Sequence, residues 1–311
     1  MKKSALFISA FFAAATAFAM SYYGGKYETE VGERNIKWSK CDWGNNVNFE
    51  TELLPGKPGS NDDVIVRPGL WTFEIDGNYN VSLFHTGDNS KSFAKGRTFK
   101  AKRKISLSLA CSNSGISRQE WDRCTVDSGG PFEITFWHEA RQAGKAILSL
   151  TDTKFNVKGD FVCTIPANPI IKNEARAGVE VILEGASDFN FNGGALIDSI
   201  IADQNEEWMF KWTFNEKGGK MPRVFFNRRA QFDKPDIEVN VSENLKPGKY
   251  GLAEFHDKRS GFTNIRSITL NGNEYKLGTE FKVGKNPAKL YLGAFGRDSK
   301  TPNDLILEVG K

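Results

Sequence analysis

The chain has 311 residues, with 42 lysines and arginines against 38 aspartates and glutamates, which gives a formal net charge of +4. This near balance excludes a protein that binds nucleic acid or another polyanion through its bulk charge. Thirty glycines and 24 phenylalanines are typical of short strands separated by turns. The length allows one large domain or two ordinary ones.

The first 19 residues have the three parts of a secretory signal peptide. Met1–Lys3 is basic, Ala5–Ala15 is an apolar run, and Ala17–Ala19 is a small-x-small cleavage site. The run is too short to cross a bilayer, which takes about 20 apolar residues. We predict cleavage after Ala19, leaving 311 − 19 = 292 residues. The mature protein is expected to be secreted or on the cell surface, with the periplasm as the alternative, and to have no membrane span.

Four cysteines are expected to form disulfides, because an exported protein meets an oxidising compartment and the number is even. Three pairings are open from the sequence. Cys111 and Cys124 are close along the chain and flank a loop-like segment, which favours that pair and leaves Cys41 with Cys163. The sequence has no CxxC motif to support a zinc site, and we predict neither a metal nor another cofactor.

Strand-forming runs alternate with turn residues along the chain, and no long run has the period of an amphipathic helix. Two segments also repeat, because Thr153–Gly159 and Ser187–Gly193 align at Phe, Asn, an apolar residue and Gly. Thr98–Lys102 is a poorer third copy. We therefore predict an all-β fold in which strand–turn–strand units stack as a parallel β-helix, or solenoid. A β-sandwich is the alternative.

One segment, residues 208–214, alternates aromatic residues with others. Its aromatic residues share one face of a strand: Trp208, Phe210, Trp212 and Phe214. A core face is the first interpretation, and a platform for sugar rings is the second. In the second, Trp208 and Trp212 would bind the ligand, and the basic pair Arg228 and Arg229 would grip an acidic polysaccharide.

The last part of the chain has the turn signals of an antiparallel sheet. A Pro-Gly turn at residues 247–248 precedes a strand, and Asn271-Gly272 between apolar runs predicts a type I′ hairpin. The final strands are expected at residues 289–295 and 304–309. A boundary near Lys234–Asp236 would separate a β-helix-like domain, residues 20–235, from a C-terminal β cap, residues 236–311.

Two stretches carry a family resemblance. The first has Trp38 and Trp43, then Leu54–Gly56 and Asp62–Val66. The second joins residues 245–252 to residues 270–292. They resemble the start and the end of secreted bacterial β-solenoid proteins of the autotransporter-passenger and PEP-CTERM-associated kind, over about a third of the chain. The resemblance implies an extracellular right-handed β-helix with a surface or matrix role. The chain departs from it in having no Pro-Glu-Pro sorting signal.

No residue pattern indicates a catalytic site, since the sequence has no GxSxG, HExxH, P-loop or dinucleotide motif. His138 and Glu139 are adjacent on a strand and should point to opposite faces. His85 is expected in a turn, as is His256. Asp62-Asp63 fits a polar turn better than a calcium or glycosidase site.

The predicted function is that of an exported, non-enzymatic surface, adhesion or matrix protein. Polysaccharide or cell-surface components are the candidate partners, and nucleic acid is not expected. The alternative is a carbohydrate-active enzyme or a carbohydrate-binding module.

Overall fold

The computed structural model describes residues 21–24, 35–41, 43–44, 56–66, 72–86, 91–109, 116–136, 145–165, 178–199, 209–296 and 302–310. These residues form an all-β protein with mostly parallel strand pairing, which confirms that the fold is all-β. Their one helical element is a 3-10 turn at Trp38–Lys40. No helix in the described part of the chain has the length and apolarity needed to cross a membrane. The predicted signal peptide lies outside the described residues.

The structure has 28 strands in the described residues. The first eight are β1 (Ser21–Gly24), β2 (Asn35–Lys37), β3 (Trp43–Gly44), β4 (Asp63–Val66), β5 (Thr72–Ile75), β6 (Tyr79–Thr86), β7 (Lys91–Lys95) and β8 (Thr98–Leu109). The next ten are β9 (Ile116–Asp122), β10 (Thr125–Ser128), β11 (Phe132–Phe136), β12 (Lys145–Thr151), β13 (Lys154–Val157), β14 (Phe161–Ile165), β15 (Gly178–Glu184), β16 (Asp188–Phe191), β17 (Ala195–Ser199) and β18 (Met209–Asn215). The last ten are β19 (Arg223–Phe226), β20 (Gln231–Asp233), β21 (Asp236–Asn240), β22 (Gly248–Phe255), β23 (Gly261–Thr263), β24 (Ser267–Leu270), β25 (Asn273–Glu274), β26 (Glu280–Val283), β27 (Asn286–Gly293) and β28 (Asp304–Val309).

Three parallel ladders organise these strands. The first ladder has the order β2-β5-β7-β9-β12-β15-β18-β21-β24. The second ladder runs from the first half of β6 through β8, β10, β13, β16 and β19 to β22. The third ladder runs from β1 and β4 through the second halves of β6 and β8 to β11, β14 and β17. A bridge between Ala195 and Ala230 joins it to the pair β20–β23.

From β9 to β24 the chain adds one strand to the first, the second and the third ladder in turn, and then begins again. We call each such round a pass. Each strand therefore pairs with the equivalent strand of the next pass. This parallel pairing differs from the antiparallel sheets of the sandwich alternative.

The internal repeat is confirmed by the register of the second ladder. Phe155 of β13 lies beside Phe189 of β16, and Asn156 lies beside Asn190. Val126 of β10 pairs with both Phe99 and Phe155, so the third copy also stands in register. Matching residues of successive passes therefore form rows across the strands.

Alternate residues of each strand point into one aromatic core. The largest fully buried side chains are Trp38, Trp121, Trp212, Phe73, Phe84, Phe99, Phe132, Phe155, Phe161, Phe189, Phe191 and Phe214. Phe155 and Phe189 have ring centroids 5.1 Å apart, and Phe132 meets Phe155 edge-on at 5.6 Å. Burial of each such side chain contributes about 1.5–3 kcal/mol to folding.

Glycines form the turns between the second and third ladders. They are Gly129, Gly130, Gly159, Gly193 and Gly194. A Cβ on Gly130 would lie 1.8 Å from the carbonyl oxygen of Arg103, and one on Gly194 would lie 1.9 Å from that of Arg229. Because successive backbones approach this closely, only glycine fits. This explains the glycine that closes each sequence repeat.

Antiparallel strands cover the C-terminal end of the ladders. β22 pairs with β28, β28 with β27, and β27 with β26. The predicted hairpin is confirmed, because Asn271 and Gly272 have φ angles of 49° and 77° between β24 and β25. Parallel pairing continues through β21 and β24, past Lys234–Asp236. The change to antiparallel pairing falls later than the predicted domain boundary, which stays a prediction.

Candidate functional site

The aromatic strand β18 lies in the core. Trp212 has no exposed surface, and its ring meets that of Phe232 edge-on with centroids 5.4 Å apart. Phe210 and Phe214 are buried on the same side. A ring without exposed area cannot stack on a sugar, which corrects the platform interpretation for Trp212 in favour of the core interpretation. Trp208 lies outside the described residues.

Arg228 and Arg229 lie in the exposed turn between β19 and β20. The backbone N–H of Arg228 donates to the carbonyl of Gly193 at 3.0 Å, so this turn continues the stack of glycine turns. The guanidinium of Arg229 lies 3.4 Å from Oε1 of Gln231. The arginines therefore remain candidates for ligand binding, but the buried Trp212 does not share their surface.

Cys124 carries a free thiol, so the predicted Cys111–Cys124 disulfide is not formed. Its Sγ donates to the carbonyl of Asp122 at 3.3 Å. Thr153 and Ser187 take the same position in the next two passes, and their hydroxyls also donate to the carbonyl two or three residues earlier. Burial raises the pKa of the Cys124 thiol. The thiol of Cys124 thus takes the position that a hydroxyl occupies in Thr153 and Ser187, the equivalent turn residues of the next two passes.

Cys163 is also a free thiol, so the predicted Cys41–Cys163 disulfide is absent. It is fully buried in β14, between Ile134 of β11 and Ile197 of β17. Cys41 follows β2, four strands before β12 in the first ladder, which places it about 19 Å away along the ladders at about 4.8 Å per strand. A disulfide tolerates Cα atoms at most about 7 Å apart. Burial raises the pKa of the Cys163 thiol.

His85 occupies a polar cluster that the sequence reading missed. It lies on β6, which extends to Thr86, and not in the predicted turn. Its Nδ1 lies 2.8 Å from the hydroxyl of Ser106, and its Nε2 lies 3.1 Å from the hydroxyl of Ser108. Both serines are on the outward face of β8, yet only 3% and 2% of their surfaces are exposed. In the sequence, serine alternates with isoleucine and leucine over residues 105–109, and this pattern could have indicated a polar outward face on this strand.

The His85 cluster is built to hold a neutral imidazole. Burial and then the positive charge of Lys104 lower the pKa of His85 from 6.5 to about 4, against a smaller opposing effect of Glu133. Nζ of Lys104 pairs with Oε2 of Glu133 at 2.5 Å. Both ring nitrogens are occupied and the serine hydroxyls are covered, so the cluster bridges strands and offers no accessible nucleophile.

The second polar cluster is an arginine between two carboxylates. Nε of Arg223 donates to Oδ1 of Asp188 at 2.7 Å, and its Nη1 lies 3.7 Å from Oε1 of Glu254. Burial raises the pKa of Glu254, although Arg223 opposes this. The three residues come from β16, β19 and β22, so the cluster links three passes.

The basic segment around β8 is largely neutralised by its neighbours. Lys95 pairs with Asp122 at 3.5 Å, and Arg103 pairs with Asp63 at 2.8 Å. The carboxylate of Asp62 accepts the backbone N–H of Gly59, as expected for a polar turn. Within the described residues, no group of three His, Cys, Asp or Glu side chains is placed to hold a metal ion.

The other predicted positions have structural neighbours. Asn156 donates to Asp127 at 2.8 Å and stands beside Asn190, so these asparagines form a row across the strands. The His256 ring meets Phe225 edge-on with centroids 4.6 Å apart. His138 lies outside the described residues.

Comparison with known proteins gives no match to a family model, a curated protein or a solved structure.

Proposed function

We propose that this protein is an exported, non-enzymatic surface, adhesion or matrix component, built as a right-handed parallel β-solenoid with an antiparallel C-terminal cap. The observation that supports this best is the repeated order of the three ladders from β9 to β24. A chain that returns to the same ladder on each pass builds a rod in which each pass contacts only its neighbours. About 98% of parallel crossover connections are right-handed, which supports the handedness.

The rod shape supports a mechanical role for the protein as a surface or matrix component. The first ladder has nine strands, so its eight steps at about 4.8 Å extend about 38 Å. The antiparallel strands at the C-terminal end limit edge-to-edge aggregation. Such a rod can hold surface groups at fixed spacing outside the cell.

A carbohydrate-active enzyme is the second candidate, and it depends on the cluster of Asp188, Arg223 and Glu254. The raised pKa of Glu254 suits a general acid. However, Arg223 contacts both carboxylates and ties them together as ion pairs. We favour the structural role because Trp212, the expected sugar platform, is buried.

Expression of the full chain in a bacterium tests export and shape together. We expect the protein outside the cytoplasm with Met20 as its first residue, an elongated envelope in small-angle X-ray scattering, and resistance to trypsin. An intact leader on cytosolic protein would contradict export, and a spherical envelope would contradict the rod. Turnover of a polysaccharide that Glu254→Gln abolishes would favour the enzyme.

A further inference from the structure

One corner of the molecule carries more cations than its acidic side chains can neutralise. It is the stack of turns between the second and third ladders. We call five exposed side chains there the basic corner: Lys102, Lys158, Arg228, Arg229 and Lys258. None of them forms an ion pair within the described part of the chain. The ammonium group of Lys102 donates to the neutral side chains of Ser60 and Asn61.

The acidic residues at this corner already have partners. The carboxylate of Asp160 accepts the backbone N–H of Gly194 at 2.7 Å. Asp257 pairs with Arg259 at 3.3 Å. Arg259 lowers the pKa of Asp257, and Arg229 is also close enough to contribute to this effect. The five cations still outnumber these two acids, so positive charge remains for an external anion.

The ladder faces show a different arrangement. On the first ladder Nζ of Lys91 lies 3.0 Å from Glu120, and Nζ of Lys211 lies 2.5 Å from Glu238. On these faces many cations lie opposite an acid of a neighbouring pass. The basic corner thus differs from the ladder faces, where acids of neighbouring passes neutralise many of the cations.

The cations are spread along a line. Backbone hydrogen bonds join each turn to the next, as from Lys158 to Ser128 at 2.9 Å and from Arg228 to Gly193 at 3.0 Å. From β8 to β22 the second ladder makes five steps, so the basic corner extends about 24 Å at about 4.8 Å per step. Charges spread over this length suit a linear polymer better than a small anion.

The surface between the cations has few side chains. Gly129, Gly130 and Gly159 lie there because a Cβ would collide with a neighbouring turn. Asn192 and Asn227 add exposed amides that can bond to hydroxyls. A polymer chain can therefore approach the backbone between Lys102 at one end and the arginines at the other.

We propose that the basic corner binds an acidic polysaccharide, with uronate carboxylates on the cations and sugar hydroxyls on the asparagines. Arginine pairs with carboxylate through two parallel hydrogen bonds, which suits Arg228 and Arg229. Single-stranded nucleic acid normally also needs aromatic rings for base stacking. The basic corner itself contains none, and nearby Phe225 is already in contact with His256. The choice of a polysaccharide rests on the proposed extracellular role.

Binding of the full-length protein to polygalacturonate tests the proposal, with dextran as the neutral polymer and single-stranded DNA as the other polyanion. Replacing Lys158, Arg228 and Arg229 by glutamine should weaken binding about fivefold per cation, or about a hundredfold in all. The matched control replaces Lys282, Lys285 and Lys289 by glutamine, which removes the same charge from exposed lysines of the C-terminal cap. This control should change the affinity less than about threefold.

The proposal would be overturned by no binding to polygalacturonate at low salt, by equal loss in both triple variants, or by tighter binding to DNA. Binding to dextran at the same strength would also contradict it, because charge would then be irrelevant. Circular dichroism of each variant monitors folding, and Arg228→Gln alone supplies the test if the triple variant unfolds. The shape and export of the wild type are measured separately, so failure of the structural role is distinguishable from failure of binding.

Discussion

The buried imidazole of His85 predicts that the protein loses stability in mild acid. Its pKa is about 4 in the folded state, against 6.5 in the unfolded chain. Above pH 6.5 neither state binds the proton. As the pH falls from 6.5 towards 4, the unfolded chain takes up a proton that the folded protein excludes, so unfolding becomes easier. The difference corresponds to roughly 3 kcal/mol once the pH reaches 4, and to about 2 kcal/mol at pH 5.

Urea unfolding of the wild type and of His85→Gln, followed by tryptophan fluorescence at pH 7 and pH 5, measures this effect. Glutamine keeps a donor and an acceptor but does not titrate. We expect the wild type to lose about 2 kcal/mol more than the variant over this range. Ser106→Ala is the control, since it removes a hydrogen-bond partner but keeps the titrating ring. Equal losses in wild type and His85→Gln would refute the argument that this imidazole is protected from protonation.

The close packing of the turns and of the core gives three further predictions. Gly130→Ala should cost more than about 2 kcal/mol in unfolding free energy, whereas Gly96→Ala, where φ is +63° and no atom lies within 4 Å, should cost about 1 kcal/mol. Trp212→Ala should cost about 3–5 kcal/mol in the same urea titration. Cys124→Ser should stay within about 1 kcal/mol of wild type, but Cys124→Val should lose more because it cannot donate to Asp122. A melting temperature that falls when dithiothreitol is added would contradict the finding that Cys124 and Cys163 are free thiols.

Features that depend on residues close together along the chain could be predicted from the sequence. Asn271-Gly272 predicts its hairpin because the two positive φ angles are a local requirement. The repeat around Phe155 and Phe189 also depends on a local pattern, since two segments that fold alike can stack in register. The burial of Trp212 follows from the same alternation.

Features that depend on contacts between successive passes could not be predicted from the sequence. Whether Cys124 finds a sulfur partner depends on which residues occupy the same row. The next two in the row are Thr153 and Ser187, 29 and 63 residues away in the sequence. His85 meets Ser106 only because β6 and β8 are paired in that register. An even number of cysteines predicts pairing only where the fold brings two of them together.

The turns between the second and third ladders connect the fold to the proposed binding. Gly130 and Gly194 are required because adjacent backbones come too close for a side chain. These glycines also add no side chain to the surface, so they do not shield the cations from Lys102 to Arg228. On the faces of the ladders, by contrast, Lys91 and Lys211 are paired with acids. The spacing that allows the passes to stack thus also separates the unpaired cations along the corner, which is why we place binding there and not on a ladder face.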